Sequence, residues 1–188
     1  MAMKRFPCEK YASLEMNRVA YIKTGMVVSQ TPLGEEFTQE SPCENGMWVN
    51  ADKSVGTINS ITNATDMIGI VYTAEKEYDD FHYGLKYFAR SADGKMGNNY
   101  PRVGILGLGD TFTTNCLQYD DSEYADFAAL EEALKGIEDA PMYVVPVVGS
   151  PVPQLTATKP AEGTYGIVVK YYTVPNGEKG VKYNIVRV

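Results

Sequence analysis

The sequence predicts a mainly β protein: a β-sandwich or barrel body with one packed amphipathic helix at about 121–138 and a C-terminal β-hairpin. Three observations lead there. Short runs rich in Val, Ile, Thr and Tyr recur between Gly, Pro and Asn-Gly turn signals along most of the chain. A single stretch, after Asp120, changes to the helical spacing of apolar residues. Two alternating runs separated by Pro175-Asn176-Gly177 end the chain, as in a hairpin.

Taken in order, residues 1–18 show neither clean alternation nor a capped helix and are expected to form an N-terminal arm. A β-rich body follows over 19–148. Val19 to Lys23 reads as a strand ending at Gly25, and Met26-Val27-Val28 as another. Residues 35–45 are acidic and loop-like and end in Asn45-Gly46, a tight-turn dipeptide. Met47 to Ala51 is a short strand, and Ser54 to Ile61 alternates. Met67 to Thr73 is apolar at almost every position, which suits a strand buried on both faces. Residues 74–101 are polar and aromatic, punctuated by Gly84, Gly94, Gly97 and Pro101. Arg102 to Leu108 is a further strand, followed by the β-branched, turn-like stretch Asp110 to Asn115.

The helix rests on a different period. Asp121-Ser122 offers an N-cap, and Glu123 and Asp126 place negative charge where the helix dipole favours it. Phe127, Leu130, Leu134 and Ile137 then form one apolar stripe. Asp139-Ala140-Pro141 ends it, because the residue before proline disfavours the helical conformation. Residues 142–148 return to a strand, and 149–160 read as a proline-stiffened linker. In the hairpin, 161–188, Tyr165, Ile167, Val169 and Tyr171 are expected on one face, and Val181, Tyr183 and Ile185 on one face of the last strand.

Composition narrows the function. The chain has 188 residues, 44% hydrophobic and 22% charged, enough for a real core, which excludes a disordered tail, a collagen-like rod and a coiled coil. Seventeen basic against 24 acidic residues give a net charge of -7, so the overall field repels phosphate and no direct nucleic-acid contact is expected. The longest apolar run, Met142 to Val148, is far short of the roughly 20 residues of a spanning helix, and no secretory segment opens the chain. No membrane association is expected.

The residues offer little catalytic equipment. One histidine, His82, and three cysteines, Cys8, Cys43 and Cys116, show no metal-ligand spacing, and no cofactor is expected. An odd cysteine count excludes a fully paired intrachain framework. It favours reduced thiols over one disulfide plus a free thiol. Gly104 to Asp110 is glycine-rich but has neither the order nor the Gly-Lys-Ser/Thr ending of a phosphate loop, so it reads as a strand entering a bulge or turn. The carboxylates Glu75, Glu77, Asp79 and Asp80, and the scattered Glu35, Glu36, Glu40 and Glu44, read as solvated acidic surface. A glycosidase pair drawn from such dispersed carboxylates is the enzymatic alternative. Cys116, with only acidic neighbours in sequence, reads as a buried structural thiol. Asn63-Ala64-Thr65 matches a glycosylation sequon without an export signal. Fourteen tyrosines favour binding or assembly surfaces over catalysis.

Several segments together resemble tailed-bacteriophage virion proteins. They are Gly25 to Val28, Gly46 to Val49, Ile68 to Thr73 ahead of Glu75 to Asp79, Tyr100 to Gly104, Gly109 to Asn115, and Tyr171 to Glu178. The similarity is greatest to small β-rich head decoration, or cement, proteins, and covers about residues 20–118 and the last strand pair. It is one of style, without a diagnostic motif, and the helix and proline-rich stretch are not features that the family demands. The resemblance implies a structural, non-enzymatic protein of the virion, made in the host cytoplasm and seated on the capsid exterior. Its implied partners are the major capsid protein or neighbouring virion subunits, and other copies of itself in a homo-oligomer. The arm residues Lys4, Arg5, Phe6 and Tyr11 are the expected contacts. A head-completion or tail component, and a carbohydrate-binding or carbohydrate-active β protein, are the alternatives.

Overall fold

A computed structural model describes residues 2–28, 30–63, 66–73, 89–96, 99–173 and 177–188. In chain order the first elements are β1 (Met3–Arg5), β2 (Leu14–Arg18), α1 (Tyr21–Thr24), β3 (Val27–Val28) and β4 (Cys43–Glu44). Then come β5 (Trp48–Asn50), β6 (Ile68–Val71), β7 (Ala89–Arg90), β8 (Val103–Ile105), β9 (Thr111–Thr114) and β10 (Gln118–Asp120). The last are α2 (Phe127–Lys135), β11 (Tyr143–Val147), β12 (Ser150–Thr156), β13 (Tyr165–Thr173) and β14 (Lys179–Arg187). The chain is mainly β, with one helix packed on the sheets through Leu130 and Leu134, as its periodicity predicts.

Eight strands form one sheet in the order β1-β10-β12-β11-β13-β14-β9-β2. This order forces the sheet to curl. Strands β9 and β10 stand five places apart, about 24 Å in a flat sheet. Yet Asn115, Cys116 and Leu117 alone join them, a reach of at most about 14 Å. The same holds for β1 and β2, which are neighbours in sequence and occupy opposite edges. The sheet therefore rolls into an incomplete barrel, with a seam between β1–β10 and β9–β2.

A four-stranded sheet, β3-β8-β6-β5, packs against the concave side. It is buried on both faces. Trp48 and Ile70, opposite each other across β5 and β6, join the core around Phe112, Tyr183 and Leu155. Val49, Val71 and Val103 join a second core with Leu33, Phe37, Met47 and Ile58. All four residues of β6 are buried, which is why its sequence reads as a continuous apolar run. Trp48 Nε1 donates to the Tyr183 hydroxyl at 3.1 Å, so both buried polar groups are satisfied. Gly104 lies flat under Tyr21, whose ring carbons would be 2.4 Å from any added Cβ. A third, two-stranded sheet pairs β4 with β7.

Five expectations are corrected. Residues 1–18 are not an arm: β1 and β2 form the two edges of the large sheet, and Phe6 is in the core, edge-on to Phe127 at 5.0 Å. Residues 19–23 are not a strand. Asp110 accepts the Ala20 amide at 2.7 Å, and one turn of helix then turns Tyr21 inward and leaves Ile22 exposed. The helix begins at Phe127, because Asp120 closes its own turn on Ser122 and Asp126 is the cap, accepting the Ala129 amide at 2.9 Å.

Residues 149–160 are not a linker, since β12 lies between β10 and β11. Its Pro151 and Pro153 and the facing Pro146 fall where the β11–β12 register shifts, so their missing N–H groups interrupt little pairing. The terminal hairpin has the predicted inner face Val181, Tyr183 and Ile185, all buried. On its partner strand a register shift between Val168 and Lys170 leaves Val169 exposed, so the expected face of β13 is broken.

Candidate interaction surfaces

The seam is closed by side chains. Phe6 donates its amide to Leu117 O at 2.8 Å, extending the β1–β10 ladder by one bond. Beyond it, Asn115, fully buried, accepts the Ser13 amide at 2.7 Å and donates to Glu178 at 2.9 Å. Thr114 donates its hydroxyl to Ser13 O at 2.6 Å. Glu44 accepts the Ala12 amide at 2.7 Å and pairs with Arg5 at 3.2 Å. Gly46 sits against this knot with φ +90, where an added Cβ would stand 2.6 Å from Cys116 Cβ.

The residues expected to contact a partner are largely used inside the molecule. Phe6 is buried, and Arg5 pairs with Glu44. Lys4 donates Nζ to Ala125 O at 2.6 Å, and Tyr11 is half-buried with Lys10 5.2 Å above its ring. They serve the seam and the sheet edge rather than a free arm. Cys8, Cys43 and Cys116 are free thiols, the last two buried. Burial pushes the Cys116 thiol up to about 12, even with Arg5 pulling it down, so it is a protonated core group at neutral pH. The glycine-rich turn after β8 is tied by its own aspartate: Asp110, buried, also accepts the Gly107 amide at 2.9 Å.

His82 and the carboxylates Glu75, Glu77, Asp79 and Asp80 lie outside the described residues, as do Ala64 and Thr65 of the sequon. A cavity of 350 Å³ is lined by Glu35, Phe37, Thr38, Ala92 and Asp93. Hydrogen bonds, chiefly from Ser91 at 2.5 Å, hold the Asp93 carboxylate well below its usual range, so Asp93 stays ionised and braces the 91–95 turn. Among the described residues no three His, Cys, Asp or Glu side chains gather to hold a metal ion, and no helix is long and apolar enough to cross a membrane.

Two surfaces remain, and sequence reading missed both. The first is one end of the small sheet. Met26 immediately precedes β3, Met67 immediately precedes β6, and Leu108 follows β8; antiparallel pairing puts all three at the same end. Ile22 joins them on α1, because the Asp110 carboxylate ties the Ala20 turn to the Gly107 turn. These four are 45 to 70% exposed, on turns fixed by backbone hydrogen bonds.

The second is the outer face of β13, β14, β9 and β2. Lys170 lies directly opposite Lys182, Lys182 opposite Thr113, and Thr113 opposite Glu15. In the neighbouring row Ile167 faces Asn184, Asn184 faces Thr111, and Thr111 faces Arg18. The polar groups between the cations are locked together. Tyr172 donates to Thr113 Oγ1 at 2.9 Å and to Glu15 at 3.3 Å, Thr113 donates to Asn17 at 2.7 Å, and Thr111 donates to Asn184 at 2.8 Å. Complementing the inner face Val181, Tyr183 and Ile185 would have placed Lys182 outside; the register shift before Lys170 has no signal in the sequence.

Compared with known proteins, the chain matches no family model, no curated protein and no solved structure.

Proposed function

We propose that the chain is a structural binding protein of a phage virion, seated on the capsid exterior and stabilising its lattice. The observation that carries this reading is the apolar end of the small sheet. Ile22, Met26, Met67 and Leu108 stand exposed on turns that the fold holds rigid, on a sheet buried on both faces. Exposed apolar residues brought together from separate segments suit a protein partner. Rigid turns lower the ordering entropy lost on docking. The sequence resemblance to decoration proteins supplies the kind of partner. The contact lies on the small sheet, not on Lys4, Arg5, Phe6 and Tyr11.

The test is occupancy. Tailed-phage particles bearing this chain are purified, and its copy number relative to the major capsid protein is measured by mass spectrometry. The Ile22→Asp/Leu108→Asp variant, exposed at both sites, should keep its thermal midpoint and lose about tenfold or more in particle affinity, the equivalent of about 1.4 kcal/mol. A chain missing from particles, or a variant of undiminished occupancy, refutes the reading.

A further inference from the structure

We propose that copies of this chain bind one another head to tail, the basic outer face of the β13–β14 hairpin of one copy against the acidic α2 region of the next. The proposal deepens the assembly reading above by naming a lateral partner, but the contact itself needs no capsid.

The first observation is the pairing of Lys170 with Lys182. Like charges directly opposite on adjacent strands are unfavourable unless a counter-charge meets them. Within the described residues neither lysine makes an ion pair; Lys170 stands 5.5 Å over the Tyr172 ring, and Glu15, in the same row of that face, accepts from the Tyr172 hydroxyl. Arg18 adds a third cation in the adjoining row. The face is otherwise a fixed platform, because its Tyr, Thr and Asn groups bond to one another.

The second observation is charge segregation. Of the four basic residues of the hairpin, 165–188, Lys170 and Lys182 lie on the outer face with Arg18, whereas Lys179 stands 5.8 Å over the Tyr171 ring and Arg187 donates to Ala161 O. Residues 120–139 carry eight carboxylates and one lysine, so that short stretch alone holds as much net negative charge as the whole chain. Part of this charge is spent internally: Glu131 accepts from Tyr171 at 2.6 Å, and Lys135 pairs with Glu132 at 2.7 Å. Glu138 and Asp139, past the end of α2, are exposed and make no ion pair among the described residues. They point to the counter-charge that the lysine pair lacks. A patch of one sign and a different patch of the other make a heterologous contact. Such a contact closes into a ring or runs on as a filament, the geometry of subunits repeated around a lattice axis.

Sedimentation velocity of the full chain tests this. Wild type should self-associate at about 20 mM salt and dissociate at about 500 mM, where the screening length falls to a few ångströms. Lys170→Glu/Lys182→Glu and Glu138→Lys/Asp139→Lys should each weaken self-association about tenfold or more, because each sets like charge against like. Both should keep the wild-type thermal midpoint. Mixed one to one, the two variants should associate again in alternation, since each patch of one then meets a patch of opposite sign on the other. The chain carrying all four substitutions should associate again.

A monomeric wild type at low salt overturns the proposal, as does a mixture of the two variants that stays monomeric. Self-association unaffected by either reversal also overturns it. Particle occupancy is read separately. A chain that self-associates but is missing from particles refutes the capsid reading alone, and a chain that occupies particles but stays monomeric refutes this one alone.

Discussion

The β13–β14 hairpin and the seam lie in one sheet but are held in opposite ways. The hairpin pairs strand to strand from Tyr165 opposite Arg187 to Thr173 opposite Lys179, and its inner face is apolar. The seam between β10 and β9 has no such ladder. There Asn115, Glu44 and Thr114 satisfy the backbone of residues 12–13 with side-chain atoms, and Glu178 accepts from the Asn115 amide in turn. Backbone ladders tolerate many side chains. A seam of specific side-chain bonds does not, because each buried group depends on one partner.

The largest expected effect separates an arm from a sheet edge. Phe6→Ala should lower unfolding free energy by about 3–5 kcal/mol, as for a buried aromatic, in urea denaturation. A loss under about 0.5 kcal/mol, typical of exposed positions, would return residues 1–18 to the status of an arm.

Next comes the seam itself. Asn115→Ala leaves the Ser13 amide without its buried acceptor and removes one of the donors to Glu178, and should cost about 1–3 kcal/mol. Paired with Glu178→Ala it should be clearly less than additive, because the two share one network. The same cycle on Thr173 and Lys179, exposed partners at the hairpin tip, should be additive within about 0.5 kcal/mol. Equal coupling in both places would erase the distinction.

The smallest effect is on pH. The Cys116 thiol lies behind the seam and is pushed up to about 12 by burial, against about 8.5 in an unfolded chain. A raised folded pKa means that its contribution is complete below about pH 8.5 and is lost as pH climbs toward the folded value. Thermal midpoints between about pH 8.5 and 10 should therefore fall less steeply in Cys116→Ala than in wild type. Parallel slopes would mean that the thiol is not sealed.

Local pattern determined a good deal. Alternation in Val181, Tyr183 and Ile185 identified the last strand and its inner face, because strand geometry sends every second side chain to the same side. The apolar run of β6 announced burial on both faces, and the spacing of Phe127, Leu130 and Leu134 announced the packed helix. Each of these is a short-range regularity. The tertiary structure alone decided that β1 and β2 are opposite edges of one rolled sheet. It also decided that Pro151 and Pro153 sit in a strand at a register shift, and that one Asp110 carboxylate joins the Ala20 and Gly107 turns. Lys170 and Lys182 became a pair for the same reason. Register across strands depends on bulges and on partners distant in sequence, so the surfaces that a second molecule would meet are set by contacts no local period records.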